Sequence, residues 1–219
     1  MKAGKNVDFG VLSPYCRSGG MVYARDSKSR SERIKGSSPF SGTMKLLDII
    51  YSKAPRARWL SKQITGMLPP GSMILNVGAG QGHLEKELLN SGIIVTSIEP
   101  KGKAFDGNII QSSFEDAVID HKFDAIVFSY SLHHLDDPIS GIKKALSLLA
   151  PQGILLLLEI APRTAFWKIL TFDSRIACPY RKHTWTKHML EETVRRSGGK
   201  IEHILWYRRS APLFIIRHA

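Results

Sequence analysis

Met73-Ile74-Leu75-Asn76-Val77-Gly78-Ala79-Gly80-Gln81-Gly82 is an apolar run that breaks into three glycines spaced two apart. The run reads as a short strand buried on both faces, and Leu84 and Leu88 beyond the glycines recur at helical spacing as far as Asn90. A glycine-rich turn between a strand and a helix brings backbone N–H groups close to a ligand, where side chains would fill the space. The plainer reading is a merely tight strand–helix turn.

The pattern repeats outward from this stretch. Residues 93–98, 108–111 and 123–129 read as further strands, and residues 138–149 as a helix. Pro151-Gln152-Gly153 then reads as a turn before a fifth strand over 154–159. Upstream, Trp59, Leu60, Ile64 and Leu68 place a helix over 55–67, which Leu68-Pro69-Pro70-Gly71 ends. Continuous apolar strands alternating with helices predict an α/β fold with a doubly wound parallel sheet. The C-terminal part differs: after a helix over 186–197, residues 200–206 and 213–217 read as strands with no helix between them. The six residues from Tyr207 to Pro212 are too few for a right-handed crossover, so the pair is expected to be an antiparallel hairpin. The whole is a mostly parallel, seven-stranded sheet with an antiparallel C-terminal hairpin.

Length and composition suit one such domain with an extension. The chain has 219 residues, of which 43% are hydrophobic and 23% charged, the balance of a soluble globular protein. Residues 1–40 are rich in Gly, Ser, Lys and Arg without sustained periodicity, and read as a disordered or loosely docked arm ahead of a domain over 41–219. Residues 44–51 look helical, with Ser41 or Thr43 as cap. The formal charge of +12 is uneven: 1–40 carry eight Lys/Arg against three Asp/Glu, 161–219 twelve against four, and 41–160 eleven against twelve. Basic ends around a near-neutral centre favour anionic partners, nucleic acid among them, or simply give soluble surfaces. Two cysteines, Cys16 and Cys178, without CxxC spacing predict a reducing compartment. With no signal-peptide pattern after Met1 and no apolar block long enough to span a bilayer, a cytoplasmic protein is expected.

Spacing narrows the ligand. The dinucleotide fingerprint is GxGxxG, and here His83 occupies the place of its third glycine; no GxxxxGKS/T run is present. Glu99 ends the next apolar strand, where a carboxylate accepts hydrogen bonds from both hydroxyls of a ribose, the plainer reading being a solvated glutamate. An adenosine-containing cofactor is expected.

Four ordered segments, Asn76 to Gly82, Glu99-Pro100, Phe123 to Leu135 and Leu149 to Gly153, together resemble class I S-adenosylmethionine-dependent methyltransferases. The nearest subgroup is the one with ubiquinone/menaquinone-type and other small-molecule enzymes, and the resemblance covers roughly residues 44–219. It implies S-adenosylmethionine as cofactor and S-adenosylhomocysteine as product. Gly78, Gly80 and Gly82, with Asn76 and Ala79, would lie beneath the methionine part; Glu99 and Pro100 would meet the ribose, Ser113 and Phe114 the adenine, and Ser129 and Tyr130 the region of the sulfonium. Asn76 stands where the family usually has Asp or Glu, and Ser113 where Asp is frequent. Both can hydrogen-bond, but neither carries the charge that attracts an ammonium group.

Methyl transfer from a sulfonium is a direct displacement that needs an aligned nucleophile and exclusion of water; a hydroxyl or protonated amine also needs a base. His133 and His134 follow the strand expected to end at the transferring methyl, and histidine suits that task. They could equally cap a helix or support the loop. The other histidines lack an HExxH or CxxC partner, so no metal site is expected. Cys178-Pro179 reverses the Pro-Cys order of cytosine-C5 enzymes, and no Asp-Pro-Pro-Tyr-like run follows the fourth strand.

Residues 163–185 interleave Phe166, Trp167, Phe172, Tyr180 and Trp185 with Arg and Lys, which suits a lid or acceptor wall for a planar or anionic molecule, or packing of the aromatics into the core. The leading expectation is methyl transfer to a small molecule. The alternatives are a methyltransferase acting on RNA or another nucleic acid, from the basic ends, and an inactive cofactor-binding scaffold, from Asn76 and Ser113.

Overall fold

The computed structural model of the chain describes residues 53–101, 108–161 and 182–219. The arm over 1–40, the helix expected over 44–51, both cysteines and residues 163–181 of the aromatic-basic insert lie outside the described residues.

Seven strands form one sheet: β1 (Met73–Val77), β2 (Ile94–Ile98), β3 (Ile109–Ile110), β4 (Phe123–Ser129), β5 (Leu149–Leu158), β6 (Gly199–Tyr207) and β7 (Ala211–His218). Their order is β3-β2-β1-β4-β5-β7-β6. The first five strands pair in parallel, while β7 runs antiparallel to both β5 and β6. The expected architecture is thus the observed one, and β7 slots between β5 and β6.

Alternation along each strand divides the core in two. Leu75, Ile126, Phe128, Leu155, Leu157, Phe214 and Ile216 pack with Ile142, Leu190 and Val194. Their sequence neighbours Ile74, Ala125, Val127, Leu156, Leu158, Leu213 and Ile215 pack with Leu60, Ile64 and Leu88. Period-two side chains in strands buried on both sides require this division. Helices α3 (Pro138–Ser147) and α4 (Lys187–Arg196) therefore cover one face, and α1 (Lys53–Thr65) and α2 (His83–Leu89) the other.

Caps fix two helix starts. The Asp137 side chain accepts from the N–H groups of Ile139 and Ser140 at 3.0 and 3.2 Å, with Pro138 in the first turn of α3. Thr186 accepts from Met189 N–H at 3.2 Å to open α4. One expected turn is absent: Pro151-Gln152-Gly153 lies inside β5, which starts at Leu149. The register shifts between Phe123 and Ala125, and Gln152 has φ 69°, so the strand absorbs the breaker residues as an irregularity.

Candidate functional site

The carboxyl ends of β1, β2, β4 and β5 meet around a cavity of about 830 Å³. A parallel sheet brings its strand ends and the loops after them to one edge, which is where such folds bind ligands. Asn76, Gly78, Ala79, Gly80, Glu99, Pro100, Ser113, Phe114, Ser129, Tyr130, His133 and His134 all line it. Gly82 does not; it stands behind the loop as the residue before α2, with φ 72°.

The glycine loop is tied to the end of β2. The N–H groups of Gly78 and Ala79 donate to the Ile98 carbonyl at 2.8 and 3.2 Å. Gly78 has φ 75°, and a Cβ there would lie 2.4 Å from the Ser131 Cβ, so both conformation and space demand glycine. Ser131 is locked in turn, its hydroxyl donating to the Val77 carbonyl at 2.6 Å. Gly80, at φ 59°, presents open space where a Cβ would stand, and its N–H donates to Glu99 Oε2 at 2.9 Å. That bond ties the Glu99 carboxylate to the loop. Beneath the loop Asn76 is 1% exposed, and its amide nitrogen is buried without a hydrogen-bond partner. A buried amide without a partner beside a cavity is a donor that a ligand's polar group could satisfy.

Another stretch of the cavity wall is a single turn. The Phe114 ring is buried edge-on against Phe128, with centroids 5.4 Å apart. The Ser113 hydroxyl donates to Asp116 Oδ2 at 2.7 Å and accepts the Asp116 N–H at 3.1 Å. A carboxylate is thus present in this wall after all, on Asp116, which lines the cavity.

At the ends of β4 and β5 charged and imidazole side chains gather. The Arg56 guanidinium, from α1, sits 4.0 Å above the Tyr130 ring. Burial pushes its pKa down from the ordinary arginine value, while Tyr130 and Glu159 hold it up. His133, in a 3-10 turn over Leu132–His134, is 3% exposed, and its Nδ1 lies 2.9 and 3.0 Å from the two oxygens of the fully buried Glu159. Glu159 also accepts the N–H groups of His133 and Ile160 at 3.0 and 3.2 Å. His134 is exposed, its ring centroid 4.2 Å from that of His133. Lys182 donates its N–H to the His133 carbonyl at 2.9 Å and pairs with Asp136. Among the described residues, no group of three His, Cys, Asp or Glu side chains is arranged to hold a metal ion.

The sequence profile described as "Methyltransferase domain" matches residues 53–205. The chain belongs to that family. A ubiquinone biosynthesis O-methyltransferase of Haemophilus ducreyi is 31% identical over 123 residues, 48% of this chain and 51% of that protein. The chain spans about half the length of the curated relatives it matches. Among solved structures, the 1,6-didemethyltoxoflavin-N1-methyltransferase of Burkholderia thailandensis, with its substrate and S-adenosylhomocysteine bound, superposes with a TM-score of 0.62 at 13% identity, covering 87% of this chain and 93% of that one. The neocarzinostatin O-methyltransferase with S-adenosylhomocysteine and 1,4-dihydroxy-2-naphthoic acid gives 0.54 at 16% identity, covering 68% of this chain and 49% of that one. Both establish the methyltransferase fold.

Arg56, Asp116 and Glu159 are site residues that sequence reading passes over, whereas Lys182 lies in the insert expected to wall the site. Of those three, only Glu159 had a signal, as the charge that ends the apolar run of β5.

Proposed function

We propose that the chain transfers the methyl group of S-adenosylmethionine to a hydroxyl of a planar, anionic small molecule, with His133 as the base that takes the acceptor's proton. The observation that carries this reading is the hydrogen bond between His133, on the wall of the cavity that the glycine loop also lines, and the fully buried Glu159. A carboxylate oxygen only accepts, so Nδ1 carries the ring proton toward Glu159 and Nε2 is the nitrogen with the lone pair. Fixing the tautomer and ring plane is what a positioned general base needs.

When bound, S-adenosylmethionine supplies an electrophilic methyl group on a sulfonium. The residues present fit it. Gly80 leaves open space beneath the methionine part, Gly78 lets the loop close against Ser131, and Glu99 offers carboxylate oxygens to the ribose hydroxyls. Phe114 with the Ser113–Asp116 pair provides an apolar wall with a polar edge for the base. Ser129 and Tyr130 line the same cavity as these and the histidines. Arg56 supplies a half-buried cation for a carboxylate, which the cofactor's methionine part bears. Lys182 stands on the cavity wall paired with Asp136, and an acidic acceptor would compete with that carboxylate for its ammonium, as the dihydroxynaphthoic acid held by the neocarzinostatin enzyme could.

We take residues 41–219 as the catalytic unit and 1–40 as an appended basic arm, with the cytoplasm as the place of action. Among the described residues, no helix is long and apolar enough to cross a membrane. The test is incubation of purified protein with labelled S-adenosylmethionine and fractionated cell extract. Label is expected in small phenolic acids. Label in RNA would shift the reading to nucleic acid, and calorimetric binding without turnover on any fraction would leave a scaffold.

A further inference from the structure

Residues 113–117 form one isolated turn, closed by the Ala117 N–H donating to the Ser113 carbonyl at 3.0 Å. Such a turn leaves carbonyls that neither sheet nor helix satisfies. Three of them meet a single cation. Lys144 Nζ, from α3, donates to the carbonyls of Phe114, Glu115 and Ala117 at 2.7, 2.9 and 2.8 Å. An ammonium has three donors and all three are used, with the nitrogen also 5.1 Å from the Phe114 ring centroid. Ser113, Phe114, Glu115 and Asp116 of this same turn line the cavity that the glycine loop also lines.

We infer that Lys144 is a positioning residue for the cofactor's base: it fixes the turn that presents Phe114, Ser113 and Asp116 and so sets affinity for the adenine end of the ligand. The inference rests on the cofactor assignment proposed above. Lys144 itself does not line the cavity, and it acts through the backbone it holds. The role belongs to the compact head of lysine, because a planar guanidinium fork does not converge on three carbonyls from one point.

The experiment measures binding of S-adenosylhomocysteine and of S-ribosylhomocysteine, which lacks the base, to the full chain and to Lys144→Met, by calorimetry and competition. Lys144→Met is expected to bind S-adenosylhomocysteine about 10-fold more weakly, the scale of losing charge-assisted hydrogen bonds that order a loop, while S-ribosylhomocysteine stays within about twofold. Lys144→Arg, which keeps the charge and the fold, is expected to shift the same ratio in the same direction. Lys143→Met, on the exposed side of α3, is the control and should match the wild type. Equal weakening of both ligands, or unchanged binding of S-adenosylhomocysteine, would overturn the positioning role. Failure of the wild-type chain to bind S-adenosylhomocysteine would overturn the cofactor assignment and this inference with it.

Discussion

His133 and Glu159, 26 positions apart in the chain, form a buried pair in which one carboxylate holds both the ring and the backbone of the histidine: Nδ1 at 2.9 Å from Oε1, N–H at 3.0 Å from Oε2. Two strands position it. The 3-10 turn that follows β4 carries the histidine, and the end of β5 carries the glutamate.

Glu159→Gln keeps the shape of the side chain but replaces one acceptor with a donor facing Nδ1–H or a backbone N–H. We expect kcat to fall by about 10²-fold, within the usual worth of a positioned base. His133→Ala should fall at least as far, and the double variant no further, because the two residues act as one unit. Steady-state kinetics on an acceptor found by labelling decides it; a Glu159→Gln enzyme at the wild-type rate removes His133 from the base role.

Gly78 faces Ser131 so closely that the pair should behave non-additively. Gly78→Ala combines left-handed strain with a Cβ 2.4 Å from the Ser131 Cβ, and should cost about 2–4 kcal/mol in urea unfolding. In a Ser131→Gly background the steric part of that cost should disappear. Gly80→Ala, with nothing within 4 Å of its Cβ position, should cost only about 1–2 kcal/mol of backbone strain. Equal costs for the two alanines would mean that strain alone governs the loop.

Much of this was legible in the chain. Met73–Val77 and Phe123–Ser129 have in the structure the limits their apolar runs predict, and the short 207–212 link did force an antiparallel hairpin. Pro151 misled, because a strand can absorb a proline where its ladder is already irregular, and periodicity cannot show that. The site divides in the same way. Glycines and Glu99 announce themselves by spacing, since one loop and one strand end make the geometry. Arg56 and Glu159 do not, because their meeting with Tyr130 and His133 depends on how α1 and β5 pack. Asp116 was hidden for another reason: its bond with Ser113 spans one turn, and the carboxylate expected at 113 stands three positions later.

Asp137 makes α3 pH-sensitive. The Ser140 hydroxyl first, then backbone N–H groups of Ser140 and Ile139, hold its carboxyl below the ordinary aspartate range. A carboxyl with a lower pKa when folded stabilises fully above its unfolded value, and that contribution is lost as pH falls through the folded one. Asp137→Ala should therefore lower the melting temperature most near neutrality, and the gap to the wild type should close below about pH 4. A gap independent of pH would assign the effect to packing.

Arg56→Met tests the cation over Tyr130. It should weaken binding of S-adenosylhomocysteine by about 10-fold, as expected for one lost charge-assisted hydrogen bond. Binding of 5′-methylthioadenosine, which has no amino-acid part, should barely change. Equal losses in calorimetry would show that Arg56 supports the site without meeting a carboxylate.

Tyr130 carries a further consequence. Its φ of 59° is a conformation that glycine adopts freely and a tyrosine holds at a cost of about 1–3 kcal/mol, yet this is the residue whose ring lies under Arg56. Thermostability screening would therefore reward glycine at this position, and a selection for heat resistance would erode the ligand platform before it touched any group that reacts. Stabilised variants of the chain should be built elsewhere, in α1 or the hairpin, with this residue left under its load.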